Sequence, residues 1–278
     1  MSNQGLRLAF YGKGGIGKST VAANVSAWFA KMGKSVLHIG CDPKSDSTRT
    51  LMGRRIPTVL ETLREKTAVT KEDILFSGYG GVCCVEAGGP NAGVGCAGKA
   101  ISLMAEQLQE LGVFQMNWDL IVYDVLGDVV CGGFAIPMRE RFVDRVYVVT
   151  SEEFMSLYAA NNLIRSISLI QQQSEVLFGG FIHNCRVALM PGNRLEIFAG
   201  RTQAGIAAKL SYSEELAEAE FQGKTVVECC PKSRIAEEIR ILAEQIWNGD
   251  GFADVRPLSE EEFEGLCKGT EENLEGRI

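Results

Sequence analysis

Residues 12–19 read GKGGIGKS, which fits the pattern G-x-x-x-x-G-K-[ST] of a phosphate-binding loop and decides the fold. The apolar run at 6–11 predicts a short buried strand before the loop, and the apolar spacing in 20–32 predicts a helix after it. A glycine-rich turn between a strand and a helix directs several backbone N–H groups at a phosphate. In this pattern Lys18 reaches the β- and γ-phosphates, and the Ser19 hydroxyl binds Mg²⁺. The sequence therefore predicts a site for a nucleoside triphosphate and Mg²⁺.

The same loop carries a second lysine, Lys13, one residue after its first glycine. This lysine is poorly placed to fold back on the phosphates of its own loop, but it can reach a nucleotide across a two-fold axis. An arginine finger supplied in trans acts in the same way. The position therefore predicts a face-to-face homodimer with ATP at the seam. The alternative is an ordinary surface lysine in solvent.

Composition and charge limit the classes of function. The chain has 278 residues, a formal net charge of −7 and a pI near 5.1, which argues against a nucleic-acid partner. No apolar run is long enough to span a membrane and no signal-peptide pattern is present, which predicts a cytoplasmic protein without a membrane partner. No proline- or serine-rich linker divides the chain, so we predict one P-loop ATPase domain at 1–250 and an acidic C-terminal extension at 251–278.

Apolar runs and helical periodicity alternate along the rest of the chain. A long glycine-rich loop at 77–98 interrupts the alternation, and loops of such length are usually functional. The alternation predicts the α/β class: a P-loop NTPase with a mostly parallel, twisted sheet, helices on both faces and ligands at the carboxyl ends of the strands. We expect Met155 and Tyr158 in the core of their helix. The further strands are expected at 35–39, 119–124, 145–150 and 177–184, and the further helices at 57–65, 99–111, 155–172, 193–209 and 233–247.

Aspartate-containing loops follow two of the predicted strands. Asp124 ends one strand, where it can hold Mg²⁺ through water, and the Gly127 N–H can contact a γ-phosphate. Asp128 is a candidate to orient or deprotonate the attacking water. The loop after the other strand adds Asp42 and Asp46 beside the metal ion. The expected contacts of MgATP or MgADP are Gly12, Lys13, Gly14, Gly15, Ile16, Gly17, Lys18, Ser19, Thr20, Asp42, Lys44, Asp46, Asp124 and Gly127, and the expected catalytic residues are Lys13, Asp42 and Asp128.

Nine cysteines are present, and in an intracellular chain metal binding, redox chemistry or core packing is expected of them rather than disulfides. Cys96 and Cys131 stand beside glycines, in GVGCAG and CGG. Glycine allows backbone N–H groups to approach a thiolate or a sulfide, and such hydrogen bonds tune the potential of an iron–sulfur cluster. A cluster needs four thiolates and the chain has no C-x-x-C motif, but two cysteines from each chain of a dimer would suffice. Buried, inert cysteines are the alternative.

Six segments together carry a family resemblance: 11–20, 40–48, 78–82, 85–98, 123–134 and 158–162. They are similar to the nitrogenase iron protein family, which includes the reductase components of dark protochlorophyllide reductase, of cofactor F430 synthesis and of methylthio-alkane reductase. The resemblance, over roughly residues 6–250, implies a homodimer that holds one [4Fe–4S] cluster through Cys96 and Cys131 of each chain. It implies MgATP-driven delivery of one electron to a separate catalytic component, with a low-potential ferredoxin or flavodoxin as donor. It also implies that Asn184 contacts the adenine.

Departures from the nitrogenase pattern bear on the subfamily. Lys99 stands where nitrogenase iron proteins have an arginine, three residues after the first cluster cysteine. Residues 54–58 are closer to the nitrogenase-like relatives. We therefore expect an ATP-hydrolysing iron–sulfur reductase component of methylthio-alkane or F430 type, and a true nitrogenase iron protein is the alternative.

A protein of a different class also fits the two-lysine loop. Partitioning and positioning ATPases share this loop, need no cluster and often carry a basic surface for membrane or DNA. The stretch SEEEFE at 259–264 is acidic, which argues against such a surface.

Overall fold

The described residues build one twisted sheet with helices packed on both of its faces. The computed structural model describes residues 5–89, 97–127, 142–185 and 193–268. The strands are β1 (Leu6–Tyr11), β2 (Val36–Gly40), β3 (Phe76–Ser77), β4 (Cys83–Glu86), β5 (Leu120–Asp124), β6 (Arg145–Thr150), β7 (Leu177–Asn184) and β8 (Ile206–Leu210). The helices are α1 (Lys18–Lys31), α2 (Arg49–Met52), α3 (Val59–Glu65), α4 (Lys71–Ile74), α5 (Ala97–Glu110), α6 (Phe154–Gln171), α7 (Arg194–Arg201), α8 (Glu214–Phe221), α9 (Val226–Cys229), α10 (Arg234–Asn248) and α11 (Glu260–Lys268).

The strand order is β3-β4-β2-β5-β1-β6-β7-β8, and neighbours are parallel except β3, which is antiparallel to β4. In the central strand β5, Ile121 and Tyr123 face a core formed with α5 and α6. Leu120 and Val122 face the opposite core, formed with α1 and α10. This alternation is the two-residue period of a strand buried on both sides. The α/β class with a mostly parallel sheet is confirmed.

Two expectations about the elements are wrong. The predicted loop at 77–98 contains strand β4, which fits between β2 and β3 although glycines flank it in the sequence. The predicted helix at 193–209 ends at Arg201, and the chain then enters strand β8. Gln203 between them has a φ of 55°, a left-handed conformation that stops a helix. Both strands lie near an edge of the sheet, where few residues show a clear alternation.

The expectation that Met155 and Tyr158 lie in the core is also wrong, because they are 51 % and 44 % exposed. They lie on the outer face of α6. Tyr158 instead stacks on Phe154, with ring centroids 6.4 Å apart, and meets the edge of Phe263 from α11 at 5.7 Å.

The segment after residue 250 packs on the sheet domain as far as it is described. Val255, Leu258 and Phe263 are buried in the core that α5 and α6 share. The Asn161 side chain donates a hydrogen bond to the Leu258 carbonyl at 2.9 Å and accepts one from the Leu258 N–H at 2.8 Å. The division into a domain at 1–250 and an extension at 251–278 stays a prediction. Within the ranges described, none of the helices is both long and apolar enough to cross a membrane.

Candidate functional site

The glycine-rich loop joins the carboxyl end of β1 to the first residue of α1, Lys18. Gly12, Gly15 and Gly17 have φ values of 153°, 76° and 90°, which side chains disfavour, so the turn requires glycine at these positions. Gly17 caps α1 without any side-chain hydrogen bond. The backbone N–H groups of the first helical turn therefore stay available to an anion, which the positive end of the helix dipole favours.

Gly127, three residues after the end of β5, lies directly against this loop. A Cβ atom at Gly127 would stand 1.5 Å from the Gly12 carbonyl oxygen and 2.9 Å from the Lys13 nitrogen. A Cβ atom at Gly12 would in turn stand 2.4 Å from the carbonyl oxygen of Val149 in β6. Only glycine permits these close approaches, so the segments that end β1, β5 and β6 are fixed against one another.

A buried ion pair lies beneath the loop. The Lys18 ammonium contacts Asp124 Oδ1 at the end of β5, and the two side chains are 7 % and 0 % exposed. The Ser47 hydroxyl donates to Asp124 Oδ2 at 2.5 Å. Burial favours the neutral acid, but the Lys18 charge and hydrogen bonds from Lys18, Ser19 and Ser47 outweigh it and lower the pKa of Asp124. The carboxylate is therefore ionised and holds Lys18 in place.

His38 in β2 lies next to this ion pair. Nδ1 of His38 lies 2.8 Å from the Ser26 hydroxyl, and Nε2 lies 2.9 Å from the Ser47 hydroxyl. Burial lowers the pKa of His38 to about 4, with Lys18 adding to the shift and Asp124 opposing it. Because the Ser47 hydroxyl donates its proton to Asp124, its oxygen is free to accept a hydrogen bond from an Nε2–H of His38, and in that tautomer His38 and Ser47 together position the carboxylate.

Glu86 is a second buried carboxylate at this edge of the sheet. Its Oε1 accepts hydrogen bonds from the Thr48 N–H at 2.7 Å and the Thr48 hydroxyl at 2.8 Å. A Cβ atom at Gly40 would stand 2.0 Å from Oε2, so glycine at that position makes room for the carboxylate. Burial raises the pKa of Glu86 to about 7, against the Thr48 hydrogen bonds and with help from the charges of Asp124 and Asp46. Glu86 anchors the loop that follows β2.

That loop presents the other predicted carboxylates. Asp42 is buried, and its Oδ1 accepts a hydrogen bond from the Lys44 N–H at 2.9 Å, which closes a turn. Ser45 completes this turn with a φ of 54°. Burial raises the pKa of Asp42, although the Lys44 N–H hydrogen bond and the charges of Lys18 and Lys44 oppose the shift. Lys44 and Asp46 are exposed at the mouth of the site.

These parts enclose a cavity of about 360 Å³. Its wall combines backbone donors and cations for phosphate with carboxylate and hydroxyl oxygens suited to Mg²⁺, so the donor set fits a magnesium nucleotide. The predicted residues that line it are Lys13, Gly14, Gly15, Gly17, Lys18, Ser19, Thr20, Asp42, Lys44 and Asp46. The lining residues that the sequence analysis missed are Ser47, Thr50, Leu126 and Glu220.

Other predicted site residues lie beside the cavity or outside the described ranges. Asn184, at the end of β7, donates its Nδ2 hydrogen to the Ile16 carbonyl at 2.8 Å and so holds the glycine-rich loop. Its contact with adenine stays a prediction. Glu220 from α8 reaches across to the Thr20 hydroxyl. Asp128, Cys96 and Cys131 fall outside the described residues, and their roles stay predictions.

The strand, loop and helix together with this cavity define the chain as a P-loop nucleotide-binding protein. Solved structures show the same fold. The MinD cell division protein of Aquifex aeolicus superposes with a TM-score of 0.65 at 20 % identity, and the match covers 88 % of this chain and 98 % of that chain. A ParA family ATPase of Chlorobium tepidum TLS gives a TM-score of 0.67 at 17 % identity, over 89 % of this chain and 99 % of that chain. At such identities the likeness concerns the fold alone.

Sequence comparisons decide the family. The model of the NifH/frxC family of 4Fe-4S iron sulfur cluster binding proteins matches residues 6–273. "Nitrogenase iron protein 2" of Methanobacterium ivanovii is 45 % identical, over 95 % of this chain and 98 % of the relative. "Nitrogenase iron protein" of Methanospirillum hungatei is 47 % identical, over 94 % and 95 %. The chain belongs to the NifH/frxC family, and its cofactors are a [4Fe–4S] cluster and MgATP or MgADP.

Proposed function

We propose that this protein is the ATP-dependent electron-transfer reductase component of nitrogenase or of a nitrogenase-like enzyme. The observation that carries the proposal is the buried Lys18–Asp124 pair beneath a glycine-rich loop, in a chain that matches an iron–sulfur family over residues 6–273. The pair fixes a cation at the base of a cavity already lined with phosphate donors. A [4Fe–4S] cluster supplies a one-electron donor when it is bound, and we assign its ligation to Cys96 and Cys131.

The residues of the cavity have different roles in binding and hydrolysing the nucleotide. The loop N–H groups and Lys18 bind the phosphates, and Ser19 binds Mg²⁺. Asp124 holds the Lys18 ammonium at the base of the cavity, and it would orient water on the metal ion. Asp42 lies inside the cavity with its pKa raised by burial, which suits a group that takes part in proton movement during hydrolysis.

Both the hydrolysis site and the cluster site would need residues from two chains. In the part of the chain that is described, Lys13 lines the cavity but forms no ion pair, whereas Lys18 is held by Asp124. We propose a homodimer in which Lys13 reaches the nucleotide of the partner subunit during hydrolysis. Cys96 and Cys131 from both chains would then supply the four thiolates of one cluster.

The identity of the electron acceptor distinguishes the two subfamilies. The sequence departures at Lys99 and 54–58 favour a methylthio-alkane or F430-type system. The names of relatives at 45 % and 47 % identity favour nitrogenase itself as the second candidate. A low-potential ferredoxin or flavodoxin is proposed as the donor.

Anaerobic purification followed by iron analysis and electron paramagnetic resonance tests the proposal. We expect four iron atoms per two chains and a signal from a reduced cluster. Cys96→Ser and Cys131→Ser should each abolish both, whereas Cys83→Ser, a half-buried cysteine at the start of β4, should change neither. Iron-free protein that hydrolyses ATP normally would instead support a positioning ATPase.

Transfer of the electron separates the two acceptor candidates. Reduced protein is mixed with the catalytic component of a nitrogenase or of a methylthio-alkane reductase, with and without MgATP. We expect MgATP-dependent oxidation by one of the two, and the productive partner identifies the subfamily. If both catalytic components oxidised the protein equally well with and without MgATP, ATP would not control electron transfer and the proposal would be refuted.

A further inference from the structure

A second polar cluster lies at the same edge of the sheet, away from the nucleotide cavity. It consists of Glu152, just after β6, His183 in β7 and Glu196 in the first turn of α7. One ligand atom from each of the three residues can be chosen so that all lie within 4.8 Å of one another. The strand period places His183 on the opposite face of β7 from Asn184, which holds the glycine-rich loop.

Two of these side chains are buried and carry polar atoms that no described residue satisfies. Glu152 is 3 % exposed, and among the described residues neither of its carboxylate oxygens has a hydrogen-bond partner. His183 is 5 % exposed, and its Nδ1 is likewise without a partner there. Buried carboxylates and imidazoles normally have hydrogen-bond partners, because an unpaired buried polar group keeps its full desolvation cost, and a charged one costs more. Within the described ranges, no protein group satisfies these buried atoms, so the cluster has room for an additional electron-pair acceptor.

Nearby cations do not satisfy the cluster directly. Lys209, paired with His183 across β7 and β8, and Arg194 in α7 both influence the cluster electrostatically. No lysine or arginine in the described ranges forms an ion pair with Glu152 or Glu196. Burial and the Glu196 charge raise the pKa of Glu152, and the charges of Lys209 and Arg194 oppose the shift. The Leu195 N–H also opposes it, but its contact with the carboxylate falls short of hydrogen-bond geometry.

We propose that Glu152, His183 and Glu196 bind a divalent transition-metal ion such as Zn²⁺. Two carboxylates and one imidazole form a donor set found in protein zinc sites, and a doubly charged cation neutralises both carboxylates. The Cys185 thiol lies 3.7 Å from His183 Nε2, where it is a hydrogen-bond partner that holds the ring while Nδ1 stays open to a metal ion. An imidazole donor favours a transition metal over Mg²⁺.

The geometry needs only a small closure. Ligand atoms about 2.1 Å from a tetrahedral zinc ion stand about 3.4 Å from one another. The atoms of the cluster lie within 4.8 Å, so they must approach by up to about 1.4 Å. Glu196 is exposed, so a change of rotamer can bring its carboxylate toward the buried Glu152 and His183. The metal ion would then join the ends of β6 and β7 to α7. This inference does not rest on the proposed electron-transfer function.

Titration calorimetry of the full-length, cluster-loaded protein with Zn²⁺ tests the proposal. Excess Mg²⁺ is present to occupy the nucleotide site, and visible absorption confirms that the cluster stays intact. We expect one Zn²⁺ per chain, and a Kd at least tenfold weaker in Glu152→Gln and in His183→Ala. Glu175→Gln, which changes an exposed carboxylate just before β7, is the matched control and should bind as the wild type does.

Thermal unfolding keeps the test valid if a variant is less stable. Zn²⁺ should raise the Tm of the wild type and of Glu175→Gln, but it should leave the Tm of Glu152→Gln unchanged. Equal zinc binding by all variants would assign the metal to other groups and overturn the proposal. Absence of zinc binding by the wild type, together with a lower Tm in Lys209→Met, would show that Lys209 neutralises Glu152 instead.

Discussion

Replacing Asp124 by asparagine tests how the glycine-rich loop is held before nucleotide arrives. The change keeps the shape of the side chain and an oxygen for the Ser47 hydrogen bond, but it removes the negative charge beside Lys18. Because both side chains are almost fully buried, Lys18 would be left as an uncompensated charge. Breaking a buried pair in this way costs about 3–5 kcal/mol. We expect Asp124→Asn to lower the free energy of unfolding of the nucleotide-free protein by that amount.

Urea unfolding followed by tryptophan fluorescence measures this effect. The control is Asp119→Asn, just before the start of β5, because Asp119 pairs with Lys34 at 3.6 Å with both side chains partly exposed. Such pairs contribute about 0–1 kcal/mol. The double variant Lys18→Met/Asp124→Asn should be more stable than Asp124→Asn alone, because no buried charge remains. If Asp124→Asn costs no more than Asp119→Asn, the ion pair does not hold the loop.

Three further predictions concern the same edge of the sheet. Gly127→Ala should weaken MgATP binding at least tenfold in calorimetry, because its Cβ would stand 1.5 Å from the Gly12 carbonyl oxygen. Gly200→Ala is the control and should bind MgATP normally, because a Cβ there meets nothing within 4 Å. Folding raises the pKa of Glu86 from 4.5 to about 7, so the stabilisation that protonated Glu86 provides is complete below pH 4.5 and is lost as pH rises through 7. Between about pH 5.5 and 7.5, the free energy of unfolding of the wild type in urea should therefore fall by about 2 kcal/mol relative to that of Glu86→Gln. A difference between the two proteins that does not change with pH would contradict this. Lys13→Gln should bind MgATP normally but lose hydrolysis in a phosphate-release assay with the electron acceptor present, and normal hydrolysis would remove Lys13 from the mechanism.

The parts that the sequence predicted correctly depend on local geometry. The strand, glycine turn and helix around 12–19 are specified by neighbours in the chain, and β1 and α1 lie where expected. The supports beneath the loop depend on contacts between distant residues. Ser47 and Asp124 are 77 positions apart, and nothing near His38 in the sequence indicates that it would contact Ser47. Such pairs become visible only when the order of the parallel strands is known.

The same limit explains the missed strands. β4 is four residues long and lies among glycines, so its strand character comes from pairing with β2 rather than from its own pattern. β8 follows a helix so closely that the helical periodicity extends over it in the sequence. The connection between the two is four residues long and contains the left-handed backbone at Gln203, a conformation that an ordinary glutamine does not indicate. Tertiary pairing therefore decided both elements.

The carboxyl end of β7 links the nucleotide cavity to the proposed metal cluster, which affects how variants there are interpreted. Asn184 binds the Ile16 carbonyl on one side of the strand, and His183 belongs to the cluster on the other. A substitution in β7 can therefore disturb both sites through the backbone, even where its side chain contacts only one. Glu152 reaches the cluster from the end of β6 and has no hydrogen-bond partner for either carboxylate oxygen within the described residues. A loss of zinc binding in Glu152→Gln with unchanged MgATP affinity would thus separate the two sites, and His183→Ala alone would not.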